Sequence, residues 1–538
     1  MKQWNNETMN IMDPKGIANH TSLDKPADRF FYRALEIFPA AAAWITLSGC
    51  VIFSFIAPIW VAFFIIIFDL HWLLKVAYLA VHQIASYFAM KRNLKIDWLS
   101  RVKNLKGDLK WNDLYHLIIL PTYRESLEVL ETTCKALADS DYPARKMILV
   151  IGVEGRDREN GLKNAAALRE KFGSLFYKFM ITVHPPDIAG ELAGKGSNET
   201  WAGREAQKWL DEEKIPYQNV IASVFDADTC VHPRYFSCLA YYYLATEDRA
   251  RASYQPVPFF NNNIWDAPAL MRVASASTTF WHMMEQERPE RMGTFSSHAM
   301  SFQAVVEIGF WQTNIVSEDS RIFYQCFFHY RGNYRVIPLY MPVSMDTVLG
   351  KNFWESVVNQ YKQRRRWGWG VENLPYVIFR SCKTCGIPLR KKLRIIYREV
   401  EGKYSWAVTA IILLFVGWLP IFFGGDDFRE TVLARNLPYV TRWLMTFSML
   451  GIFVSAIIAT VLVPPRPAEQ PKRKYIYMVL QWLLLPVFTV CFGSIPAIDA
   501  QTRLALKKYM GFLVTPKARK NRAENIRDSE AHSQALFK

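Results

Sequence analysis

What this chain lacks narrows it first. Its eight cysteines form no framework. Cys382 and Cys385 make a lone CxxC with no second pair and no histidine partner, so neither a disulfide scaffold nor a zinc ribbon is expected. They read as structural or incidental, and the remaining cysteines as free thiols of a reducing compartment. Acidic residues are in deficit, 49 against 65 basic, for a net charge of +16, yet no nucleic-acid recognition motif accompanies the excess. A cleavable leader is not expected either. The polar segment 1–36 precedes the first apolar run, and no cleavage-like site follows that run. The apolar runs themselves are short of charge: Asp69 and Lys75 are the only candidates. That argues against a transporter, whose spans usually carry polar groups, and their place near the end of a run fits snorkelling as well as it fits a role within the span.

Hydrophobic residues make up 51% of the chain, and they are clustered. Five runs stand out, at 38–56, 59–81, 405–423, 443–463 and 475–498, each near the length needed to cross a bilayer. The expected organisation is a cytosolic segment 1–36, a membrane hairpin 37–82, a soluble domain 110–350, interfacial amphipathic helices 351–403, a membrane bundle 404–498 and a basic tail 499–538. Lys91, Arg92, Lys95, Arg101, Lys103 and Lys106 follow the second run, and Arg390, Lys391, Lys392, Arg394 and Arg398 precede the third. Positive charge flanking spans marks the cytoplasmic side, which predicts an integral, multi-pass protein of a bacterial inner membrane with its central block in the cytosol. The third and fourth runs read as an out-and-back pair. The fifth carries Pro486 and Pro496 and is expected to be broken, re-entrant or interfacial.

The central block opens as alternating strand and helix. Leu117–Leu120 is a short apolar strand ended by Pro121-Thr-Tyr123-Arg-Glu125; residues 147–153 form a second, closed by Glu154-Gly-Arg-Asp157; residues 220–225 form a third, closed by Asp226-Ala-Asp228. Buried strands separated by helical stretches predict an α/β, mainly parallel sheet inserted between transmembrane helices. Ligands of such sheets sit beyond the carboxyl ends of the strands, where all three polar clusters fall.

Asp226 and Asp228 stand at i and i+2. In an extended segment their side chains share a side and can both face one hard cation, Mg²⁺ or Mn²⁺, with substrate phosphates supplying further ligands. Read alone, the pair is equally an acidic turn after a strand. Glu318 and Asp319 form a second acidic pair. Thr246-Glu-Asp248 resembles it but reads as the solvated end of a helix. His298 reads as a packing or acceptor-side residue rather than a metal ligand. Within 351–369, Gln363, Arg366 and Trp367 fall at i, i+3 and i+4, which places an amide, a guanidinium and an indole on one helix face. An Arg fork holds phosphate oxygens, and an indole offers a flat apolar face to a sugar ring.

Together these residues resemble the membrane-embedded family 2 glycosyltransferases, the group of cellulose and hyaluronan synthases, over roughly 115–520. Gln363–Trp367 matches that family's QxxRW, Asp226–Asp228 its DxD, and Ser317-Glu-Asp319 its TED with Ser for Thr. Pro121, Tyr123 and Glu125 are similar to its nucleotide-contacting first loop. Glu154 stands where the family usually has Asp. Lys195 and Asn198 fall in a shortened variant of its KxxxLN element. Residues 512–517 (FLVTPK) resemble the gating loop of cellulose synthases, with Thr515 and Lys517 on one side of an extended loop, suited to phosphate.

The resemblance implies a GT-A type, Rossmann-like sheet and an inverting transfer from a nucleotide-diphosphate sugar, UDP-linked by preference. Asp228, with Asp226 near the ribose, would hold the metal, and Arg366 would stabilise the leaving diphosphate. Asp319, beside Glu318, would be the general base, and Trp367 a platform for the acceptor sugar with Gln363 nearby. The product stays open between a processive polysaccharide and a singly glycosylated lipid. A membrane scaffold or transporter with a degenerate transferase domain is the rival from another class.

Overall fold

The computed structural model describes residues 16–468 and 470–511. The 512–517 motif, with Thr515 and Lys517, lies outside the described residues.

Alternation of side chains builds the soluble core. Ile118 and Leu120 of β1 (Tyr115–Thr122) point to one face of the sheet with Leu149 and Ile151 of β2 (Met147–Glu154) and Ile221 of β4 (Val220–Val224). Leu117, Ile119, Ile148, Val150 and Ala222 point to the other face. Strands apolar on both faces must be covered on both, as parallel sheets between helices are. All of these side chains are essentially inaccessible, and each Leu, Ile or Val among them stabilises the fold by about 1.5–3 kcal/mol relative to exposure.

The sheet runs β3-β2-β1-β4-β7-β6-β8-β5. β3 (Lys178–His184), β2, β1 and β4 are parallel neighbours. β7 (Ala299–Ser301) lies antiparallel between β4 and β6 (Ala252–Phe260). β8 (Arg335–Met345) is parallel to β6, and β5 (Cys230–Val231) closes the order antiparallel to β8. The α/β, mainly parallel sheet expected from the sequence is therefore present. β3 escapes a reading based on apolar runs because it is an edge strand: it is only half-buried over most of its length, which lets Lys178 open it and breaks the apolar run.

Among the described residues, four helices are long and apolar enough to cross a membrane: Pro26–Ile56, Pro58–Asn93, Val432–Val461 and Lys474–Ala505. Leu389–Leu414 with Val416–Phe423 makes a fifth only as a pair bent by 47°. The third run, expected to cross plainly, is thus the sharply bent one. The fifth is continuous in length but internally irregular. A 3₁₀ turn at Gln481–Leu484 and a π turn at Thr489–Ser494 interrupt it, with Pro486 and Pro496 seated at the starts of its last two α segments. Pro58–Asn93 runs well past its apolar stretch, so Asp69 and Lys75 lie mid-helix and do not snorkel from an end. Asp69 is buried, and Lys75 Nζ donates to Glu401 and to Ser405 Oγ at 2.9 Å. Asn93, at the foot of that helix, donates from its amide to the Leu339 carbonyl of β8 at 3.0 Å, joining the hairpin to the sheet.

Candidate active site

The polar residues at the carboxyl ends of β1, β2 and β4 converge because parallel strands all end on the same edge. They line a cavity of about 780 Å³, within the usual range for a small-molecule site. Pro121, Tyr123, Glu125, Glu154, Lys195, Asp226, Glu318, Asp319, Gln363, Arg366 and Trp367 all contribute to its wall. Of the expected site residues within the described chain, Asp228 alone does not.

At the β1 end, the guanidinium groups of Arg124 and Arg156 lie 4.9 and 4.7 Å from the Tyr123 ring centre. Arg124 adopts a positive φ of 66°, and its N–H donates to Asp157 at 2.9 Å. At the β2 end, Glu154 accepts from Arg156 Nε at 3.0 Å and faces His184 at 3.4 Å. Burial alone would raise the Glu154 carboxyl, but His184 and Arg156 outweigh it and hold it below its ordinary value. His184 is raised in turn: burial opposes its charge, and Glu154 and Glu191 on either side overcome that.

The DxD segment departs from expectation. β4 ends at Val224, and residues 226–229 form a turn in which Thr229 N–H donates to the Asp226 carbonyl at 2.9 Å. In a turn, i and i+2 no longer share a side. Asp226 faces the cavity, where Lys195 Nζ donates to it at 2.7 Å. Asp228 is fully buried behind it and accepts the Asp346 N–H at 2.7 Å. Asn262 ties this layer together, donating to the Asp228 carbonyl and to the Asp346 carboxylate, both at 3.0 Å. Asp346 also reaches the cavity wall. It follows β8 in the unremarkable run Met345-Asp-Thr, so no local pattern points to it.

Lys195 is the electrostatic centre. Burial alone would lower it, but Asp226, Glu199, Glu318 and Asp319 hold it well above its ordinary value. The same burial raises Glu199 to about 7 despite its ion pair with Lys195 at 3.3 Å. Burial and the neighbouring Asp319 and Glu199 push Glu318 well above the carboxylate range. Asp319 is raised by burial, pulled back by Lys195, raised by Asp226 and lowered by Arg366. Both Glu318 and Asp319 stand in the first turn of helix Glu318–His329, where the helix dipole favours negative charge. Asn198 packs under β2, donating to the Gly152 carbonyl at 2.9 Å.

The three arginines of the QRRRW run diverge, as consecutive positions on a helix must. Arg364 is buried and donates to the Ala274 carbonyl at 2.6 Å and Thr278 Oγ1 at 2.9 Å. Arg365 pairs with Asp499 at 3.0 Å. Arg366 lies close enough to Asp319 to lower it. Trp367 is held by Phe260 at 5.9 Å, Phe295 at 6.1 Å and the Arg364 guanidinium at 4.9 Å.

Among the other expectations, Thr246 caps helix Tyr235–Ala245 and Glu247 and Asp248 are exposed, a solvated helix end. His298 packs: its Nδ1 faces the Phe295 carbonyl at 3.0 Å, and burial lowers it to about 4. Cys382 and Cys385 are both exposed.

Among the described residues, no three His, Cys, Asp or Glu side chains group to hold a metal. Of the DxD pair, Asp226 alone offers its carboxylate to the cavity, with Asp228 behind it. One carboxylate oxygen donor suits a hard divalent cation that completes its shell from phosphates and water.

Residues 223–493 match the family described as glycosyl transferase family group 2. No curated protein matches the chain. Among solved structures, it is similar to a mannosyltransferase, PcManGT of Pyrobaculum calidifontis in complex with GDP-Man and Mn²⁺. That likeness has 15% identity and a TM-score of 0.38 over 71% of this chain and 98% of the other. It is also similar to residues 1–349 of TarS from S. aureus with UDP-GlcNAc, at 10% identity and a TM-score of 0.35 over 64% of this chain and 91% of that one. Likenesses so distant bring neither donor nor metal to this chain.

Proposed function

This chain belongs to glycosyl transferase family group 2, and from that premise we propose that it is an inverting membrane glycosyltransferase. It takes a sugar from a nucleoside-diphosphate donor, a UDP-sugar by preference, and adds it to a growing polysaccharide, as the synthase-like QxxRW run suggests. The observation that carries the reading is the cavity. Asp226, Asp319, Arg366 and Trp367 share it, and it continues beyond them between apolar helices past Trp406, Thr409 and Leu413. An acceptor longer than one sugar would extend along that path.

In this reading Tyr123, Glu125, Glu154 and Lys195 line the nucleotide end. The acceptor hydroxyl oxygen attacks the anomeric carbon as the bond from that carbon to the diphosphate breaks. Its proton passes to Asp319, which burial raises above the ordinary carboxylate value and so makes a stronger proton acceptor than a free Asp. Arg366 and Lys195 face the charge that builds on the leaving group, while Trp367 stacks on the acceptor sugar with Gln363 beside it. A Mg²⁺ or Mn²⁺ ion held by Asp226, the member of the DxD pair that faces the cavity, would neutralise further diphosphate charge. The matching placement is a bacterial inner membrane with the site on its cytosolic side. The transferase domain would then span 110–350, with 351–403 at the interface.

A lipid acceptor is the second reading, favoured by one observation. The far end of the cavity is apolar, walled by Leu414, Met445, Ile452, Leu485 and Phe492, which suits an acyl or prenyl chain better than a sugar. Purified, reconstituted protein incubated with radiolabelled UDP- and GDP-sugars and Mg²⁺ or Mn²⁺ separates the two. Ethanol-insoluble, glycosidase-sensitive label is expected for the polymer, and solvent-extractable label would replace it with the lipid. No product from any donor, with no UDP binding, would overturn both.

A further inference from the structure

Asp319 is only as well placed as the loop before it, and that loop is held by a residue outside every motif in the sequence. Glu372 is buried in the 3₁₀ turn Trp369–Glu372 that continues helix Phe353–Gly368. One of its carboxylate oxygens, Oε1, accepts three hydrogen bonds: from Val316 N–H at 3.1 Å, Ser317 N–H at 2.9 Å and the Ser317 hydroxyl at 2.6 Å. The other, Oε2, accepts the Trp369 indole N–H at 2.9 Å. Ser317 is the N-cap of the helix whose first turn is Glu318-Asp319. Next door, the Asn373 amide donates to Ser320 Oγ at 2.9 Å and to Ser317 Oγ at 3.3 Å. The buried Arg321 donates to Asn373 Oδ1 at 2.6 Å and to the Glu372 carbonyl at 3.2 Å.

We infer that Glu372 is the positioning residue for Asp319, locking the start of its helix to the helix that carries Arg366 and Trp367. This rests on the assignment of Asp319 as the base. The arrangement leaves no neutral substitute. The two carboxylate oxygens meet only N–H and O–H donors, so a carboxamide must turn its NH₂ either on the Ser317 side or on Trp369. An amide facing a donor there would swing the loop, and a displacement near 1 Å at a reacting group costs roughly 10²-fold. Ser317 in place of the more usual Thr retains the hydroxyl this carboxylate needs, so the exchange is neutral for the contact.

The test uses the full chain, reconstituted, with the labelled UDP-sugar that gives product. Glu372→Gln is expected to lower kcat about 10- to 100-fold, with donor KM and UDP affinity within twofold. Adding Trp369→Phe, which removes the donor facing the new amide, should restore most of the loss. In an Asp319→Asn background, followed by long radiolabel incubations, Glu372→Gln should cost little more, because the two residues act as one unit. If Glu372→Gln does not fold, Ser317→Ala carries the test: a smaller kcat loss is expected, which Ser317→Thr does not show. Unchanged kcat in Glu372→Gln with Asp319→Asn silent would overturn the positioning role alone. A full further loss in the Asp319→Asn background would also overturn it, marking Glu372 as merely structural. Normal turnover by Asp319→Asn would remove the base assignment, and this inference with it.

Discussion

Asp499 and Arg365 meet at 3.0 Å across the boundary between the last apolar span and the helix that carries Trp367. The same carboxylate accepts from Arg503 Nε at 2.7 Å and the Tyr361 hydroxyl at 3.1 Å. Gly368 lets the two helices close, since a Cβ there would already stand 3.3 Å from Ala497 Cα. The last apolar helix and the helix that carries Trp367 are therefore one packed unit.

Asp499→Asn breaks the ionic part of that junction and keeps its shape. Both partners are mostly shielded, with side-chain exposures of 18% and 24%. The expected cost is about 1–2 kcal/mol, read as a lower melting temperature in detergent. Disturbance of Arg366, on the same helix as Trp367, should show in kcat. Loss of acceptor affinity should exceed loss of UDP affinity, because Trp367 rides on this helix whereas Tyr123, Glu125, Glu154 and Lys195 of the proposed nucleotide end do not. Equal losses for both would point to general unfolding.

Asp319→Asn removes the proposed base without changing its volume. Transfer should fall by about 10²–10⁴-fold, while UDP affinity, measured by calorimetry, stays near that of the parent. Turnover at the parent rate would sink the assignment.

The pH dependence follows from the charges around Asp319. Burial raises it, Lys195 lowers it, Asp226 raises it and Arg366 lowers it, for a net upward shift. The base must be ionised, so kcat should fall on acidification through a midpoint above the ordinary Asp value of about 4. Lys195→Met removes a lowering charge, and the acid limb should move to still higher pH. A limb that stays put or moves down would contradict the electrostatic layout.

Gly152→Ala tests the floor of the nucleotide end. A Cβ at Gly152 would collide with the Asn198 side-chain oxygen and stand 3.6 Å from Pro121 Cα. Asn198 is buried and bonded to the Gly152 carbonyl, so it has little room to give. A loss of about 1–3 kcal/mol is expected from overpacking, with weaker UDP binding as the β1 loop shifts. A variant as stable as the parent would mean that Asn198 has another place to go.

Metal removal has a direct readout. With an oxygen donor at Asp226 and diphosphate oxygens as its partners, EDTA should abolish transfer, and Mg²⁺ or Mn²⁺ should restore it where Zn²⁺ does so poorly. Full activity in chelator would exclude the divalent ion.

Much of the site is legible in the sequence because its parts are local. Asp226, Asp319, Gln363, Arg366 and Trp367 each sit in a short run, and the polar edge of a parallel sheet is the only place where such runs can meet. Asp228 departs in orientation because its spacing suggests a strand, whereas a turn sends it behind Asp226. Glu372 and Asp346 give no signal. Each is a single acid after an element, and its partners lie far away in sequence: Ser317 for Glu372, Asn262 for Asp346.

The sequence by itself determined the apolar spans, the strands β1, β2 and β4, and the side chains offered to one cavity. Those follow from periodicity and from hydrophobic lengths, which act over a few residues at a time. Tertiary structure alone decided which acid faces Lys195 and which carboxylate holds the loop before Asp319. Each of those choices is settled by the burial of charge. A buried carboxylate must find donors, and in a folded chain the donors nearest in space are seldom those nearest in sequence.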